Sequence, residues 1–197
     1  MTKVFIDGSA GTTGLRIEER ISSRQDINLI KLADDVRKDP EARKQAIHEA
    51  EIVFLCLPDA AAIEAVALAE GSNTRIIDTS TAHRTASGWV YGMAELAGQR
   101  ELIANSNRIA NPGCHASGFI ALVAPLVQAG MLSKDVALSC FSLTGYSGGG
   151  KKMIAEYEDA NRSPLLKGPS PLYCQSRHCF PVPAPCRFLP AYSQTRQ

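Results

Sequence analysis

The run Lys3-Val4-Phe5-Ile6-Asp7-Gly8-Ser9-Ala10-Gly11-Thr12-Thr13-Gly14 decides how the N-terminal half of the chain folds. Residues 3–7 form a short apolar run suited to a buried strand. Three glycines follow, and then Leu15, Ile17 and Ile21 recur at helical spacing. Strand, glycine-rich turn and helix in that order make a phosphate cradle, because glycines let the backbone come close and the helix N-terminus offers N–H groups to a pyrophosphate. The spacing is G-x-x-G-x-x-G, not the G-x-G-x-x-G of most dinucleotide folds, and taken alone it also describes a plain tight turn. The strand before it and the helix after it favour the binding reading, in which Gly8, Ser9, Ala10, Gly11, Thr12, Thr13 and Gly14 contact a cofactor.

The segments that follow repeat this alternation. Ile27–Leu32 reads as a second strand ending at Ala33-Asp34-Asp35. An acidic residue about 20 positions past the glycines favours NAD, yet Lys31, Arg37 and Lys38 lie close enough to meet a 2′-phosphate, so the residues leave NAD and NADP open. Pro40 opens a helix whose charges Glu41, Arg43, Lys44 and Glu49 read as a solvated face. Glu51–Leu57 is a near-continuous apolar strand, as a parallel sheet covered on both faces requires. Cys56 inside it reads as structural, and Asp59 as the cap of an Ala-rich helix reaching about Ala69. Arg75–Asp78 is a fourth strand. Such a series predicts a doubly wound α/β sheet with right-handed crossovers, whose ligand crevice lies at the carboxyl ends of the strands. Those ends are Gly8–Gly14, Ala33–Asp35, Leu57–Asp59 and Asp78–Arg84.

Asp78-Thr79-Ser80-Thr81-Ala82-His83-Arg84 is polar at that edge. Arg84 is either an anion-binding fork or a surface arginine, and His83 reads as a hydrogen-bonded loop residue. Trp89–Leu96 reads as a loop packed under the site, and Glu101–Ala104 as a strand. Asn111-Pro112-Gly113-Cys114-His115-Ala116-Ser117-Gly118 then sets a cysteine between a Pro-Gly turn and an apolar helical run, Phe119–Val127. A sulfur at a helix N-terminus is expected to have a lowered pKa and to be a strong nucleophile, whereas most free cysteines are small buried hydrophobes. Val136–Thr144 alternates like a strand with one covered face. Gly145–Lys152 reads as a turn of exposed N–H groups, either a second anion contact or a flexible hairpin, and it is not a Walker loop. Met153–Asn161 reads as a helix.

Bulk properties narrow the function classes. The chain has 197 residues and a net charge of +1, so electrostatics gives no case for nucleic acid or an anionic membrane. No apolar run approaches the roughly 20 residues of a membrane span, and the N-terminus lacks the pattern of a signal peptide. The expected location is the cytoplasm, where the six cysteines stay reduced. No pair of cysteines has C-x-x-C spacing, and no metal site is expected. Composition shifts near the end: from Lys167 to Gln197 there is no Asp or Glu, while six of the eleven prolines and three of the six cysteines fall there. Residues 167–197 are therefore expected to be a disordered tail, produced by read-through of another frame or a damaged end.

Taken together, Gly8–Gly14, Phe54-Leu55-Cys56-Leu57-Pro58-Asp59, Asp78–Arg84, Asn111-Pro112-Gly113-Cys114 and Gly145-Tyr146-Ser147-Gly148-Gly149-Gly150-Lys151 resemble the short-form N-acetyl-γ-glutamyl-phosphate reductases of arginine biosynthesis, relatives of aspartate-semialdehyde dehydrogenase. The resemblance runs in order over about residues 1–166. It implies a Rossmann-type NADP-binding domain at 1–113 and the start of an incomplete α+β catalytic domain at 114–166. It also implies that Cys114 attacks an acyl phosphate, and that hydride from NADPH reduces the resulting thioester to the semialdehyde. In that scheme Gly8–Gly14, Pro58, Ser147 and Gly148 contact the cofactor, Arg84 and Asn111 contact the substrate, and the family assembles as homo-oligomers. Family members continue for roughly another 100 residues, with a general acid/base histidine in a His-x-His-Leu-Pro-like segment. His178 does not match it. A missing base costs on the order of 10²–10⁴ in rate, so this chain is expected to be weak or inactive. The rivals are a semialdehyde or glyceraldehyde-phosphate dehydrogenase of other substrate, and a non-catalytic nucleotide-binding module.

Overall fold

The computed structural model describes residues 1–144, 146–161 and 173–181. Its backbone falls into two compact units, one containing Met1–Ala121 and the other Leu122–Pro185.

In the first unit the alternation read from the sequence becomes a parallel sheet. The elements are β1 (Thr2–Asp7), α1 (Thr12–Ser22), β2 (Ile27–Ile30), α2 (Pro40–Glu49), β3 (Ile52–Leu55), α3 (Asp59–Leu68), β4 (Arg75–Asp78), β5 (Val90–Tyr91), α4 (Gln99–Asn105) and β6 (Arg108–Ala110), followed by the start of α5 (Cys114–Gln128). Sheet order is β2-β1-β3-β4-β6-β5, with every pairing parallel. The chain leaves β1 toward β2 and then returns to β1's other side as β3, so the topological switch point lies between β1 and β3. An open α/β sheet binds its ligand at such a point, because the two connections leave the strand ends in opposite directions and open a crevice. The core packs Phe5, Val53, Leu55 and Ile76 of the central strands against Ala46 and Ile47 of α2 and Ala62, Ala65 and Ala69 at α3. Small alanines along α3 let that helix come close to the sheet.

Several expectations are corrected here. Glu101–Ala104 belongs to helix α4, not to a strand. Gly98, in the left-handed region at φ +74°, turns the chain into that helix, and Leu102 stays 55% exposed, as a central strand residue would not. The strand that joins the sheet is β6, three residues pinned on both sides by β4 and β5. Trp89–Leu96 is not all loop, since Val90–Tyr91 pair with Ile109–Ala110. Asp59 does not cap α3. Pro58 occupies the cap and Asp59 the first helical position, with its carboxylate turned to Thr81. Arg43 is not on a solvated face but only 7% exposed.

In the second unit, β7 (Ala137–Thr144) is followed by a 3₁₀ turn, Tyr146–Gly149, and by α6 (Gly150–Glu158). Phe141 and Leu143 alternate outward along β7 with 65% and 51% exposure. The expectation of a tail without regular structure fails over Tyr173–Pro181, which forms β8, antiparallel to β7 with a bulge between Cys140 and Ser142. The prolines explain the difference: Pro169 and Pro171 precede this strand, Pro181 ends it and Pro183 and Pro185 follow it, so from Tyr173 to Phe180 no residue lacks its ladder N–H. The rest of the expected tail, 167–172 and 182–197, lies outside the described residues. The expected domain boundary at 113/114 coincides with the start of α5, whereas the two compact units divide within that helix.

Candidate functional site

At the switch point the glycine turn and the end of β3 touch. Gly8 has φ +87°, and a Cβ there would lie 2.3 Å from the Cys56 carbonyl oxygen, so no other residue fits. A Cβ on Gly14 would lie 2.5 Å from the Gly8 carbonyl oxygen and 2.7 Å from the Ser9 Cα. The turn is closed by the Gly11 N–H donating to the Gly8 carbonyl at 3.0 Å, and the Cys56 N–H donates to the Asp7 carbonyl at 2.7 Å. Gly11 caps α1 with no side-chain hydrogen bond, which leaves the helix start to a ligand. A cradle that any Cβ would fill, at the N-terminus of a helix, fits a dinucleotide pyrophosphate. Pro58, exposed at the start of α3, follows directly on Cys56 and Leu57, the residues that meet the Gly8 turn. At the end of β2, Asp34 is paired with Arg37 at 3.3 Å and Lys31 with Glu18 at 2.6 Å, so the acidic residue expected to meet a ribose has a cation beside it.

Beneath the cradle sits a charge cluster that periodicity did not reveal. Asp7, the last residue of β1, accepts a hydrogen bond from Arg43 Nε at 3.0 Å, and Arg43 Nη1 reaches Glu64 of α3 at 2.9 Å. Arg43 Nη2 is also 3.0 Å from Asp7 Oδ2 but is misaligned for a hydrogen bond, and so contributes charge only. Burial pushes the Asp7 carboxyl above its usual range, against the pull of Arg43.

The second group of residues gathers where β4 and β6 end. The Asn111 N–H donates to the Asp78 carbonyl at 2.7 Å, and Asn111-Pro112-Gly113 leads into Cys114, the first residue of α5, whose thiol is exposed. The Gly113 carbonyl accepts from the Ser117 N–H at 2.8 Å and from Ser117 Oγ at 3.0 Å, fixing the first turn of the helix. Arg84 lies against this turn. Its Nε donates to the Asn111 carbonyl at 3.2 Å and its Nη2 to the Thr79 carbonyl at 3.3 Å, while a Cβ on Gly113 would stand 2.8 Å from Nη1. Asn111 turns its own Nδ2 to the Pro112 carbonyl at 3.1 Å. Asp78 is fully buried and accepts from the Ser80 N–H at 2.9 Å, Ser80 Oγ at 2.7 Å and His83 Nδ1 at 2.6 Å. The His83 ring stacks on Trp89 at 4.1 Å.

The two groups are joined by the loop after β4. Thr79 Oγ1 donates to the Leu55 carbonyl at 2.9 Å, and Thr81 donates from its N–H and hydroxyl to Asp59 at 2.9 and 2.5 Å. Burial acts to raise the Asp59 carboxyl, but the Thr81 hydrogen bonds and the Arg84 charge outweigh it and hold the group below the usual carboxylate range. Cys56 differs from Cys114: burial pushes its thiol up to about 11, despite a hydrogen bond with Thr79.

Of the residues expected at the site, Gly8–Gly14 and Pro58 are brought to one crevice, and Arg84, Asn111 and Cys114 to one turn. Ser147 and Gly148 lie in the other unit, on the 3₁₀ turn, and Gly145 lies outside the described residues. Asp59, Asp78 and Thr81 lie on the strand ends expected to line the crevice, but the hydrogen bonds by which they join its two sides were not foreseen, and Arg43 was missed altogether. Only Asp78-x-Ser80 carried a local signal, since an Asp commonly binds its own backbone two residues on. Among the described residues no group of three or more His, Cys, Asp or Glu is set to hold a metal, and no helix is long and apolar enough to cross a membrane.

Comparison with known proteins agrees with this geometry. The family model "Semialdehyde dehydrogenase, NAD binding domain" matches residues 9–106, and "Semialdehyde dehydrogenase, dimerisation domain" matches residues 114–170, beginning at Cys114. The N-acetyl-gamma-glutamyl-phosphate reductases of Brucella ovis and Brucella melitensis are each 50% identical over 173 residues, covering 87% of this chain and 56% of theirs. The chain thus spans about half the length of the curated relatives it matches. Among solved structures, aspartate semialdehyde dehydrogenase from Francisella tularensis superposes with TM-score 0.60 at 16% identity, over 84% of this chain and 53% of that one. The Candida albicans enzyme, solved with NADP, gives 0.54 at 14% identity, over 78% and 53%. At such identity these two speak for the fold, and the reductase likeness and the two domain matches speak for descent: the chain belongs to the semialdehyde dehydrogenase family.

Proposed function

We propose that this chain carries the nucleotide cradle and the nucleophile of an NADPH-dependent reductase that converts N-acetylglutamyl phosphate to N-acetylglutamate semialdehyde and phosphate. The observation that carries the reading is the position of Cys114: an exposed thiol as first residue of α5, on a turn that the Arg84 guanidinium backs. The 50% identity to the Brucella reductases supports this choice of substrate.

In this reading the Cys114 thiolate attacks the acyl carbonyl carbon. A C–S bond forms and the C–O bond to phosphorus breaks, phosphate leaving with the electron pair and a proton from solvent. The sulfur suits both directions, since a thiolate is a strong nucleophile and a good leaving group. The thioester carbon would then take up a hydride, the chemistry that a reduced nicotinamide supplies when bound. The tetrahedral oxyanion then re-forms its carbonyl, the C–S bond breaks, and Cys114 is regenerated as thiolate beside the aldehyde. Gly8, Ser9, Ala10, Gly11, Thr12, Thr13 and Gly14 would hold the pyrophosphate by backbone N–H groups, and Pro58 would contact the nicotinamide end, a role that the family likeness also gives to Ser147 and Gly148. Arg84 and Asn111 orient the anionic substrate. The Asp34–Arg37 pair supports NADP, because a neutralised acid no longer repels a 2′-phosphate. Residues 1–113 serve as the nucleotide-binding domain and 114–166 open the catalytic one. The enzyme works in the cytoplasm on a small molecule, as a homo-oligomer.

Acylation tests this reading without a full turnover. With N-acetylglutamyl phosphate and no NADPH, the peptide containing Cys114 should gain one acyl group as phosphate is released, and Cys114→Ser should abolish both. Equal acylation of Cys114→Ser, or no adduct at all, would overturn it.

A further inference from the structure

We infer that His83 is a positioning residue: tied to Asp78 and stacked on Trp89, it holds the loop that seats the Arg84 guanidinium against the nucleophile turn, and so makes Cys114 selective for anionic electrophiles. This rests on the assignment of Cys114 as nucleophile and Arg84 as its anion-facing neighbour.

Asp78 anchors the device. It is fully buried, and all three of its hydrogen bonds come from the loop that follows it, from the Ser80 N–H, Ser80 Oγ and His83 Nδ1. A buried carboxylate left without donors is costly, so these contacts draw residues 80 and 83 back onto the end of β4. His83 is only 8% exposed, and its other constraint is the Trp89 ring, 4.1 Å away and tilted by 16°. Trp89 itself packs on the hydrophobic core. The imidazole is thereby fixed at its edge by a charge and on its face by the core, and the hydrogen bond to a carboxylate sets the tautomer with the proton on Nδ1.

Arg84 follows directly. With its backbone set by His83, its guanidinium bridges two strand ends, the Thr79 carbonyl after β4 and the Asn111 carbonyl after β6. Nη1 packs on Gly113 so closely that a Cβ would stand 2.8 Å away. Asp59, the carboxylate whose pKa Arg84 helps to lower, uses both of its oxygens on Thr81. The positive charge therefore stays beside the residue covalently next to Cys114. A long arginine side chain has several rotamers in solution, and it is the Asp78–His83–Trp89 arrangement that commits it to one.

Alkylation of the full chain with a charged and a neutral reagent reads this directly. Iodoacetate and iodoacetamide differ by one negative charge, and peptide mass spectrometry isolates the rate at Cys114 from the other thiols. The iodoacetate-to-iodoacetamide rate ratio, normalised to a small free thiol, should be raised on the order of tenfold and should fall as salt is added. Arg84→Met should bring the normalised ratio to about one. His83→Ala should remove most of the preference with Arg84 still present. His83→Asn should restore it, because the asparagine amide nitrogen lies where Nδ1 lies, while His83→Gln, whose amide reaches only the Nε2 position, should not. If His83→Ala does not fold, the Asn and Gln variants decide the matter. A wild-type ratio in His83→Ala or His83→Gln, with Arg84→Met near one, overturns the role of His83 alone, as does loss of the preference in His83→Asn. A wild-type ratio in Arg84→Met overturns the assignment of Arg84 on which it rests.

Discussion

Two turns at one edge of the sheet each carry a cysteine and a proline, and they have opposite properties. After β3 the order is Cys56-Leu57-Pro58-Asp59, and the cysteine precedes the proline that opens the helix. After β6 it is Asn111-Pro112-Gly113-Cys114, and the cysteine itself opens the helix. In the first turn the Cys56 backbone is pressed against Gly8 and its thiol lies under the loop from β4, with a hydrogen bond to Thr79. In the second, glycine removes the side chain that would have stood between Arg84 and the chain, and the sulfur emerges into solvent. Three residues of displacement relative to the first helical position thus separate a packed thiol from an exposed one. In the proposed reading, the first turn builds the cofactor crevice and the second supplies the nucleophile.

The largest test of this contrast is Gly8→Ala. It forces φ +87° on an L residue and drives a Cβ into the Cys56 carbonyl, so the β1 and β3 turns must part. A loss of about 2–5 kcal/mol is expected by denaturant unfolding, with nucleotide affinity lost as well. Next is the difference in thiol reactivity. With its pKa moved from 9.0 to about 11, Cys56 is ionised about 100-fold less at neutral pH than the same thiol in the unfolded chain. Quantitative alkylation should show Cys56 protected by at least that factor in the native chain and exposed in urea, with Cys114 labelled in both. Equal labelling of the two native thiols would remove the contrast.

Titration sharpens it further. The folded pKa of Cys56 lies above the unfolded one, so the stability it contributes is fully present below pH 9 and is lost as the pH rises from about 9 to about 11. Melting curves should drop across that window, and Cys56→Ala should flatten the drop. The smallest effect concerns Asp59, whose carboxyl is held low. Its contribution is present above its unfolded pKa and lost as the pH falls through the folded one, on the acid side of pH 4. Thr81→Val should weaken that acid dependence by less than about 1 kcal/mol, because the pair is exposed.

Much of this was legible in the chain itself. The strand before Gly8, the Ala-rich α3, the run that becomes β3 and the cysteine before an apolar helix are all local patterns, in which neighbours in sequence are neighbours in space. Misreadings arose where a distant partner decides the outcome. Leu102-Ile103 looks like a strand by composition, but the sheet takes Arg108–Ala110, because β4 offers its ladder there and Gly98 has already turned the chain into a helix. Tyr173–Pro181 has no period of its own and becomes a strand through β7. Arg43 reads as a solvated charge until Asp7, 36 residues away, is placed beside it.

By itself, then, the sequence determined the α/β alternation, the glycine cradle and the helix-opening position of Cys114, since each follows from backbone freedom and hydrophobic spacing over a few residues. Only the tertiary structure decided that Gly8 closes on Cys56, that Arg84 lies against Gly113, and that Asp78 gathers Ser80 and His83. Those contacts depend on which strand ends come to lie side by side, and the order β2-β1-β3-β4-β6-β5 is fixed by crossovers and burial over the whole unit.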